Sequence, residues 1–378
     1  MISGSPTTDS PTHRTPPEWD PLRIVTSLLA AVPEDLERFE RLCGEVQDWE
    51  QLFECAEAQG VAGVIWYYLA QPGMGVTLEL KKQAGRRLAV RWLLQTRHRA
   101  ALVEALMALD AVGVRAVLLK GLLLGDRLYP EPSLRPAGDI DLLVSQTDLD
   151  PAIAALESIG YVAESGLLAR YYRENHHHLH LSRPQTPILE LHFRATTGFG
   201  VIVPAEEFLS RAVPYRVPEG TTAWLLSPED ELLYLAVHAA RHLFETLMWL
   251  YDLKLFLRRY PDLDWTLVSA RARSLGVVGA LSLTFEALDR RLSTPVPQRK
   301  DFVPPRRILA RLAWPVIAIT ARQPKGSRRE KASQILYRAL LCDHPASSLW
   351  FFRHRLLRFA RRRAQRYLPK VVPEAWSR

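Results

Sequence analysis

The sequence of 378 residues has few cysteines and no long apolar run. Its three cysteines, Cys43, Cys55 and Cys342, are widely scattered. Such spacing excludes a disulfide framework and favours a reducing compartment. No stretch reaches the roughly eighteen apolar residues that a transmembrane helix needs. We therefore predict a cytoplasmic protein without a transmembrane segment.

The two ends of the chain differ from its middle. Residues 1–19 are rich in Ser, Thr and Pro and lack the apolar segment of a secretory signal, which predicts a disordered tail. Residues 351–378 interleave Arg and Lys with aromatic residues and contain Glu374 as their only acid, an excess that accounts for the net charge of +8. This pattern predicts a basic amphipathic helix. It either binds an anionic partner, such as a membrane surface or RNA, or presents a solvated basic face.

The middle of the chain changes its apolar periodicity in blocks. Apolar residues recur at helical spacing over 20–111, alternate as in strands within 112–217, and return to helical spacing over 218–300. Residues 301–378 form a C-terminal helical region that ends in the basic segment. The pattern therefore predicts an α+β fold, with a small mixed β-sheet embedded between N-terminal and C-terminal helical regions.

Two short segments within 112–217 carry the most informative side chains. An apolar strand ends at Lys120-Gly121 before a helical stretch, and a glycine at such a turn lets backbone amides approach a phosphate. In the second segment Asp139 and Asp141 flank Ile140, so strand spacing places both carboxylates on one face. Two adjacent carboxylates repel each other unless a cation lies between them. Oxygen ligands of this kind suit Mg²⁺ and substrate phosphates.

A further carboxylate lies in a strand pattern farther along the chain. Polar and apolar residues alternate over 178–181 and 188–193, which indicates two antiparallel strands joined by a loop. Glu190 lies in the second of these strands. His178, His180 and His192 would share its face, where they either orient a carboxylate, contact substrate or form a polar surface. A zinc site is a rival interpretation, but no second cluster has zinc spacing.

These segments resemble a known family. Lys120-Gly121, the stretch 128–136 and Gly138-Asp139-Ile140-Asp141 are similar to the signature of the uncharacterised bacterial nucleotidyltransferase-like family, within the polymerase-β-type superfamily. The resemblance implies a palm-type sheet and a metal site made by Asp139, Asp141 and Glu190. It further implies Mg²⁺, with Mn²⁺ as the alternative, and a nucleoside triphosphate such as ATP as substrate.

The turn departs from the superfamily pattern. This chain has Lys120-Gly121-Leu122 where the superfamily usually has Gly-Gly or Gly-Ser, so a serine hydroxyl for the phosphate is missing. Lys120 and the amides around Gly121 would have to bind the triphosphate. Arg135, upstream of the aspartates, is either a further phosphate ligand or a solvated loop residue.

Two later helices carry polar residues on otherwise apolar surfaces. Ser227-Pro228 marks a helix start, and His238 and His242 then fall one turn apart on one face. Asp252 lies in an apolar helix, where burial of a carboxylate requires a partner. We expect Asp252 either to bond to one of these histidines or to line the substrate side of the cleft.

The predicted function is transfer of a nucleoside monophosphate to an unidentified acceptor with release of pyrophosphate. The acceptor could be a small molecule, a peptide or a protein. Two alternatives stay open: a catalytically silent binding module that kept the fold, for which the missing serine is the best support, and a phosphotransferase that uses the same metal site.

Overall fold

The computed structural model describes residues 19–164, 166–217, 219–349 and 351–353. The predicted tail, residues 1–19, and the predicted basic helix, residues 351–378, therefore lie almost entirely outside the described residues. None of the helices in the described part is both long and apolar enough to cross a membrane.

The chain begins with five helices that were expected from the sequence. They are α1 (Pro21–Ala31), α2 (Leu36–Cys43), α3 (Trp49–Ala58), α4 (Ala62–Leu69) and α5 (Leu78–Ala111). Asp side chains cap α1, α2 and α3, and the Thr77 hydroxyl caps α5. These caps satisfy backbone amides that have no partner inside the helix.

The sheet region follows, and it extends past the predicted boundary at residue 217, because its last strand lies within the range predicted to be helical. Its elements are β1 (Val117–Leu118), α6 (Leu122–Leu128), β2 (Asp139–Leu143), α7 (Leu149–Ser158), β3 (Val162–Ala163), α8 (Gly166–Asn175), β4 (His178–Ser182), β5 (Ile188–His192), β6 (Arg194–Gly198), β7 (Val201–Pro204), α9 (Glu206–Leu209), β8 (Val213–Arg216) and β9 (Thr222–Leu225). Seven strands form one sheet in the order β3-β4-β5-β2-β1-β9-β8, and β6 and β7 form a separate hairpin. The predicted antiparallel pairing of β4 with β5 is confirmed.

The remaining described elements are helical. They are α10 (Pro228–Arg241), α11 (Leu247–Arg259), α12 (Trp265–Leu275), α13 (Val278–Leu292), α14 (Arg307–Arg311), α15 (Ala313–Ala321) and α16 (Arg328–Leu340). The α+β fold, with a mixed sheet between helical regions, is therefore confirmed.

The two faces of the sheet's central strands pack against different hydrophobic cores. Ile140 and Leu142 of β2 belong to a core that also contains the second half of α5 and α7. Leu143, on the opposite face, belongs to a larger core formed by α1–α4 and the helices after β9. Because side chains alternate along a strand, Asp139 and Asp141 share the face of Leu143.

The structure differs from the prediction at the starts of two helices, α7 and α10. The sequence Asp150-Pro151 predicts a helix that starts there with Asp150 as its cap, but α7 begins at Leu149, so Asp150 lies in the first turn and forms an ion pair with Arg173 instead. The second start, α10, does follow Ser227 with Pro228 at its first position, but the Ser227 side chain makes no cap hydrogen bond.

Candidate active site

The three carboxylates that the sequence singled out lie on adjacent strands of the sheet. Strand β2 pairs in parallel with β5, although β3 and β4 separate them in the chain, and this register sets Asp141 directly opposite Glu190. Asp139 is two residues before Asp141 on the same strand face. The side chains of all three line one cavity of about 340 Å³.

The cavity lies between this polar sheet face and the helices that follow the sheet. The turn between β1 and α6, the segment 135–139, and strands β4 and β5 form one side. Residues of α10 and the start of α11 form the other. The site therefore needs both the predicted sheet region and the helical region after it.

Lys120 occupies the position between the two aspartates. Its ammonium nitrogen is 2.5 Å from Asp141 Oδ2 and 3.2 Å from Asp139 Oδ2. Burial alone would lower the pKa of Lys120, but the charges of Asp141 and Asp139 outweigh burial and raise it. The lysine therefore stays charged and supplies the cation that a pair of adjacent carboxylates requires.

The two aspartates have opposite pKa shifts. Burial and the neighbouring charge of Asp141 raise the pKa of Asp139. Burial would also raise the pKa of the fully buried Asp141, but Lys120 and a hydrogen bond with His192 hold it well below its ordinary value. Asp141 is consequently the carboxylate that stays ionised, the form in which it can ligate a metal ion.

His192 links Asp141 to Glu190. Its Nε2 lies 3.1 Å from Asp141 Oδ1 and 3.5 Å from Glu190 Oε2. Burial opposes the charged imidazole, but the two carboxylates raise the pKa of His192 above its ordinary value. In turn, burial would raise the pKa of Glu190, while the His192 hydrogen bond lowers it. These contacts hold Glu190 ionised beside Asp141.

The other predicted strand histidines also surround Glu190. His180 Nε2 is 3.4 Å from Glu190 Oε1, and His178 Nδ1 is 3.7 Å from Glu190 Oε2. Burial and the nearby His192 lower the pKa of His178 to about 3, so this ring is neutral at pH 7. Donor atoms of His178, His180 and Glu190 lie within 4.8 Å of one another, as do those of Asp141, Glu190 and His192.

Helix α10 presents an aromatic and imidazole wall to the cavity. His238 and His242, one turn apart, have ring centroids 4.7 Å from each other and 5.1 Å from Trp249 of α11. Burial lowers the pKa of both histidines, that of His242 to about 3. Both rings are therefore neutral at pH 7 and offer a flat, weakly polar surface rather than positive charge.

Asp252 has a different partner from the one predicted. It bonds to Arg135 and Tyr129, not to His238 or His242: both Arg135 Nε and Nη2 donate to its carboxylate at 2.9 Å, and the Tyr129 hydroxyl donates at 2.7 Å. The prediction of a histidine partner was wrong because a guanidinium supplies two parallel charge-assisted bonds, which stabilise a buried carboxylate better than one imidazole.

Arg135 therefore holds the edge of the cavity. Besides its pair with Asp252, its Nη1 donates to the carbonyl oxygens of Gly121 and Pro136 at 3.1 and 3.3 Å. Four of the five N–H donors of this guanidinium bond to protein groups, and the expected contact with a phosphate stays a prediction. As placed, Arg135 fixes the turn at Gly121.

Gly121 itself has a backbone conformation that other residues avoid. Its φ is +93° and its ψ is −130°, immediately before α6 begins. A side chain at this φ would be strained. The predicted need for glycine at the turn is thus explained by backbone geometry.

The donor set fits a hard divalent cation. Asp139, Asp141 and Glu190 offer carboxylate oxygens on one cavity wall, and the fully buried Asp141 is held in its charged form. Lys120 now compensates that charge, so a metal ion would take over the role of its ammonium. The imidazole nitrogens beside Glu190 would also suit Mn²⁺ or Zn²⁺.

Several cavity residues were not among the predicted site residues. Tyr234 lies one turn before His238 on α10, so the same helical spacing could have identified it. His177 and Arg241 line the cavity together, with Arg241 Nη1 2.9 Å from His177 Nε2. Trp249 lies in an apolar helix whose sequence gives no local sign of a cavity position.

Comparison with known families gives the family of the chain. The model of a family described as uncharacterised nucleotidyltransferase matches residues 45–293, well over half of the chain. The protein belongs to this nucleotidyltransferase family. The matched range includes both the β2–β5 pair and the α10 wall. Family and fold together support a nucleotidyl transfer activity.

Other comparisons add little to the family assignment. None of the curated proteins matches the chain. Among solved structures, the chain is similar to the solution structure of the antibiotic-resistance factor ANT(2'')-Ia, with 14% identity and a TM-score of 0.32. That likeness covers 46% of this chain and 89% of the other. At this level it carries no conclusion about the substrate of this nucleotidyltransferase family member.

Proposed function

We propose that this protein transfers a nucleoside monophosphate from a nucleoside triphosphate to an acceptor and releases pyrophosphate. The observation that carries the proposal is the parallel register of β2 and β5, which sets Asp141 opposite Glu190 with Asp139 on the same face. Asp139, Asp141 and Glu190 would hold Mg²⁺. When bound, the metal aligns the triphosphate and stabilises the charge of the leaving pyrophosphate.

The chain's own residues would bind the phosphates and move the proton. The Gly121 turn, fixed by Arg135, presents its backbone to the triphosphate, and Lys120 neutralises phosphate oxygens once its place between the aspartates is taken. The acceptor's nucleophilic atom bonds to the α-phosphorus as the bond to the β-phosphate's bridging oxygen breaks. Pyrophosphate leaves with that electron pair, and Glu190 accepts the acceptor's proton.

The experiment uses water as the acceptor, because it is always present. The full-length protein is incubated with Mg²⁺ and ATP, GTP, CTP or UTP in turn, with Mn²⁺ and Zn²⁺ arms, and the products are separated. Nucleotidyl transfer to water gives nucleoside monophosphate and pyrophosphate, whereas phosphotransfer gives nucleoside diphosphate and phosphate. We expect the first pair of products.

Two variants make the result specific to the carboxylates. Asp139→Asn combined with Asp141→Asn should abolish pyrophosphate release, because neutral amides cannot replace charged ligands. Asp150→Asn, at an exposed ion pair with Arg173, is the matched control and should keep wild-type activity. Activity that survives the double change would overturn the proposal. If calorimetry detects no binding of any nucleotide, the silent binding module is the better description.

A further inference from the structure

A second cavity adjoins the candidate active site and has no role in the proposed chemistry. It is an open groove of about 510 Å³ along α5, bounded by α3, α4 and the segment 133–137. Its volume is in the range of small-molecule sites. We name it the α5 groove.

The α5 groove shares an edge with the candidate active site. Pro136 and Ala137 line both cavities. Ala137 precedes Asp139 by two residues, so their Cα atoms are at most about 7 Å apart. The shared edge is held firmly: His98 Nδ1 lies 2.8 Å from the Ala137 carbonyl oxygen. A molecule in the groove could therefore extend one end to the carboxylates.

One face of α5 gives the groove both apolar and cationic groups. Arg87, Val90, Arg91 and Leu94 follow one another at helical spacing, and Val90 and Leu94 are 61% and 52% exposed. Exposed apolar side chains that lie next to each other are typical of binding surfaces.

The cations of the groove differ in whether an acid neutralises them. Arg91 pairs with Glu57. Arg87 has no ion pair within the part of the chain that the structure describes; its guanidinium lies 5.3 Å from the ring centroid of Phe53 and 5.4 Å from that of Trp66. A guanidinium held over rings keeps its hydrogen-bond donors available. Arg87 is therefore placed to receive an anion.

Two buried donors in the groove wall support the same conclusion. Trp66 Nε1 and Arg91 Nε are buried and have no hydrogen-bond partner in the described residues. Both are donors only, on side chains that line the groove, so an acceptor atom that a ligand brought to them would satisfy them. The apolar side chains between the arginines favour a ligand with an apolar body.

We propose that the α5 groove binds the acceptor, and that the acceptor is a small molecule with an aromatic or similarly apolar body and an anionic group that pairs with Arg87. This inference rests on the proposed function in one respect, which is that the bound molecule is the acceptor of the reaction. The binding site itself does not, because it lies outside the nucleotide and metal cavity.

The test uses a matched pair of fluorescent compounds. Anilinonaphthalene sulfonate has an aromatic body with an anion, and phenylnaphthylamine has the same kind of body without charge. Their binding to the full-length protein is titrated without metal or nucleotide. Arg87→Gln should weaken sulfonate binding by about tenfold, the loss expected for one charge-assisted hydrogen bond, and leave phenylnaphthylamine within about twofold.

Two further variants distinguish binding at a specific site from non-specific binding to the protein surface. Arg259 also lies over a ring, that of Tyr260, but outside the groove, so Arg259→Gln is the control and should bind both compounds as wild type does. Val90→Glu changes an exposed position and adds a like charge beside the anion. It should weaken the sulfonate by at least as much as Arg87→Gln does.

The outcomes distinguish this inference from the proposed function. The Asp139→Asn/Asp141→Asn variant should bind the sulfonate normally, and saturating ATP with Mg²⁺ should not displace it. Equal losses of both compounds, no loss with either groove variant, or displacement by ATP would overturn the α5 groove as an acceptor site while pyrophosphate release by wild type stands. Absence of pyrophosphate release with an intact sulfonate site would instead remove the proposed function.

Discussion

The Lys120 ammonium lies 2.5 Å from Asp141 Oδ2, where two adjacent carboxylates need a cation. The sequence assigned Lys120 to the triphosphate, and the structure places it with the predicted metal ligands. Both roles are compatible if the lysine holds the site together before metal and nucleotide bind.

This relationship predicts a metal-dependent stability for a Lys120 variant. Lys120→Met removes one partner of a buried ion pair and should lower the free energy of unfolding by about 3–5 kcal/mol in metal-free buffer. Saturating Mg²⁺ should restore much of the loss, since a ligand present at about a hundred times its dissociation constant stabilises by about 2.7 kcal/mol. Thermal unfolding at increasing Mg²⁺ measures both effects.

Lys254 provides the matched control. It is also a buried lysine, bonded to the carbonyl oxygens of Leu29 and Ala30 and paired with Glu34, outside the cavity that contains the carboxylates of the sheet. Lys254→Met should destabilise the protein and gain no more stability from Mg²⁺ than wild type does, whereas Lys120→Met should gain more, because no ammonium competes with the ion there. Equal responses of the two variants to Mg²⁺ would contradict a cation site at Asp139 and Asp141.

The Arg135–Asp252 pair predicts a strong energetic coupling. Asp252→Leu leaves a buried guanidinium without its anion and should cost about 3–5 kcal/mol of unfolding free energy. Arg135→Met combined with Asp252→Leu should cost less than the sum of the single changes, because neither partner then remains as an unpaired charge. Urea denaturation of the four proteins gives the coupling energy.

An exposed ion pair calibrates this measurement. Asp150 pairs with Arg173 at the surface, where such pairs contribute about 0–1 kcal/mol. Asp150→Ala should accordingly change stability little. If the Arg135 and Asp252 changes proved additive, the two side chains would not act as a unit, and the argument that they fix the Gly121 turn would fail.

His242 predicts the direction of a pH dependence. Burial holds its folded-state pKa at about 3, whereas an unperturbed histidine has a pKa of about 6.5. Between these values the unfolded chain binds a proton that the folded protein does not, so stability falls as the pH falls through this window. From pH 7 to pH 5 the loss from this one residue should reach up to about 2 kcal/mol.

Chemical denaturation at several pH values checks the effect. His242→Gln removes the titrating group and should give a shallower decline of stability from pH 7 to pH 5 than wild type. His238, whose pKa is also lowered by burial, continues to contribute in both proteins. Parallel curves for wild type and His242→Gln would show that this imidazole is not held neutral by the fold.

Local patterns were enough to predict the strands that carry the three carboxylates. Alternation over 178–193 predicted the hairpin that contains Glu190, and the spacing of Asp139 and Asp141 predicted a shared face. These features depend on the period of a strand, which a few consecutive residues reveal. The helical regions were predictable for the same reason.

The partners of buried charges were not predictable in this way. Arg135 and Asp252 are 117 residues apart, and neither segment contains a mark that selects the other. Packing between distant elements gives Asp252 an arginine partner in place of the predicted histidine. It also places Lys120 between the two aspartates. Sequence spacing identifies that a buried charge needs a partner, and the tertiary fold decides which one it receives.

The position of the sheet between two hydrophobic cores has a consequence for dissection of the protein. A fragment ending at residue 217 would contain Asp139, Asp141 and Glu190, but it would lack β9, which pairs with β1, and the whole α10 wall. Such a fragment would carry the proposed metal ligands on an open surface. The proposed activity thus depends on the junction between the two cores, and binding of a ligand in the cavity would report that both parts have folded onto each other.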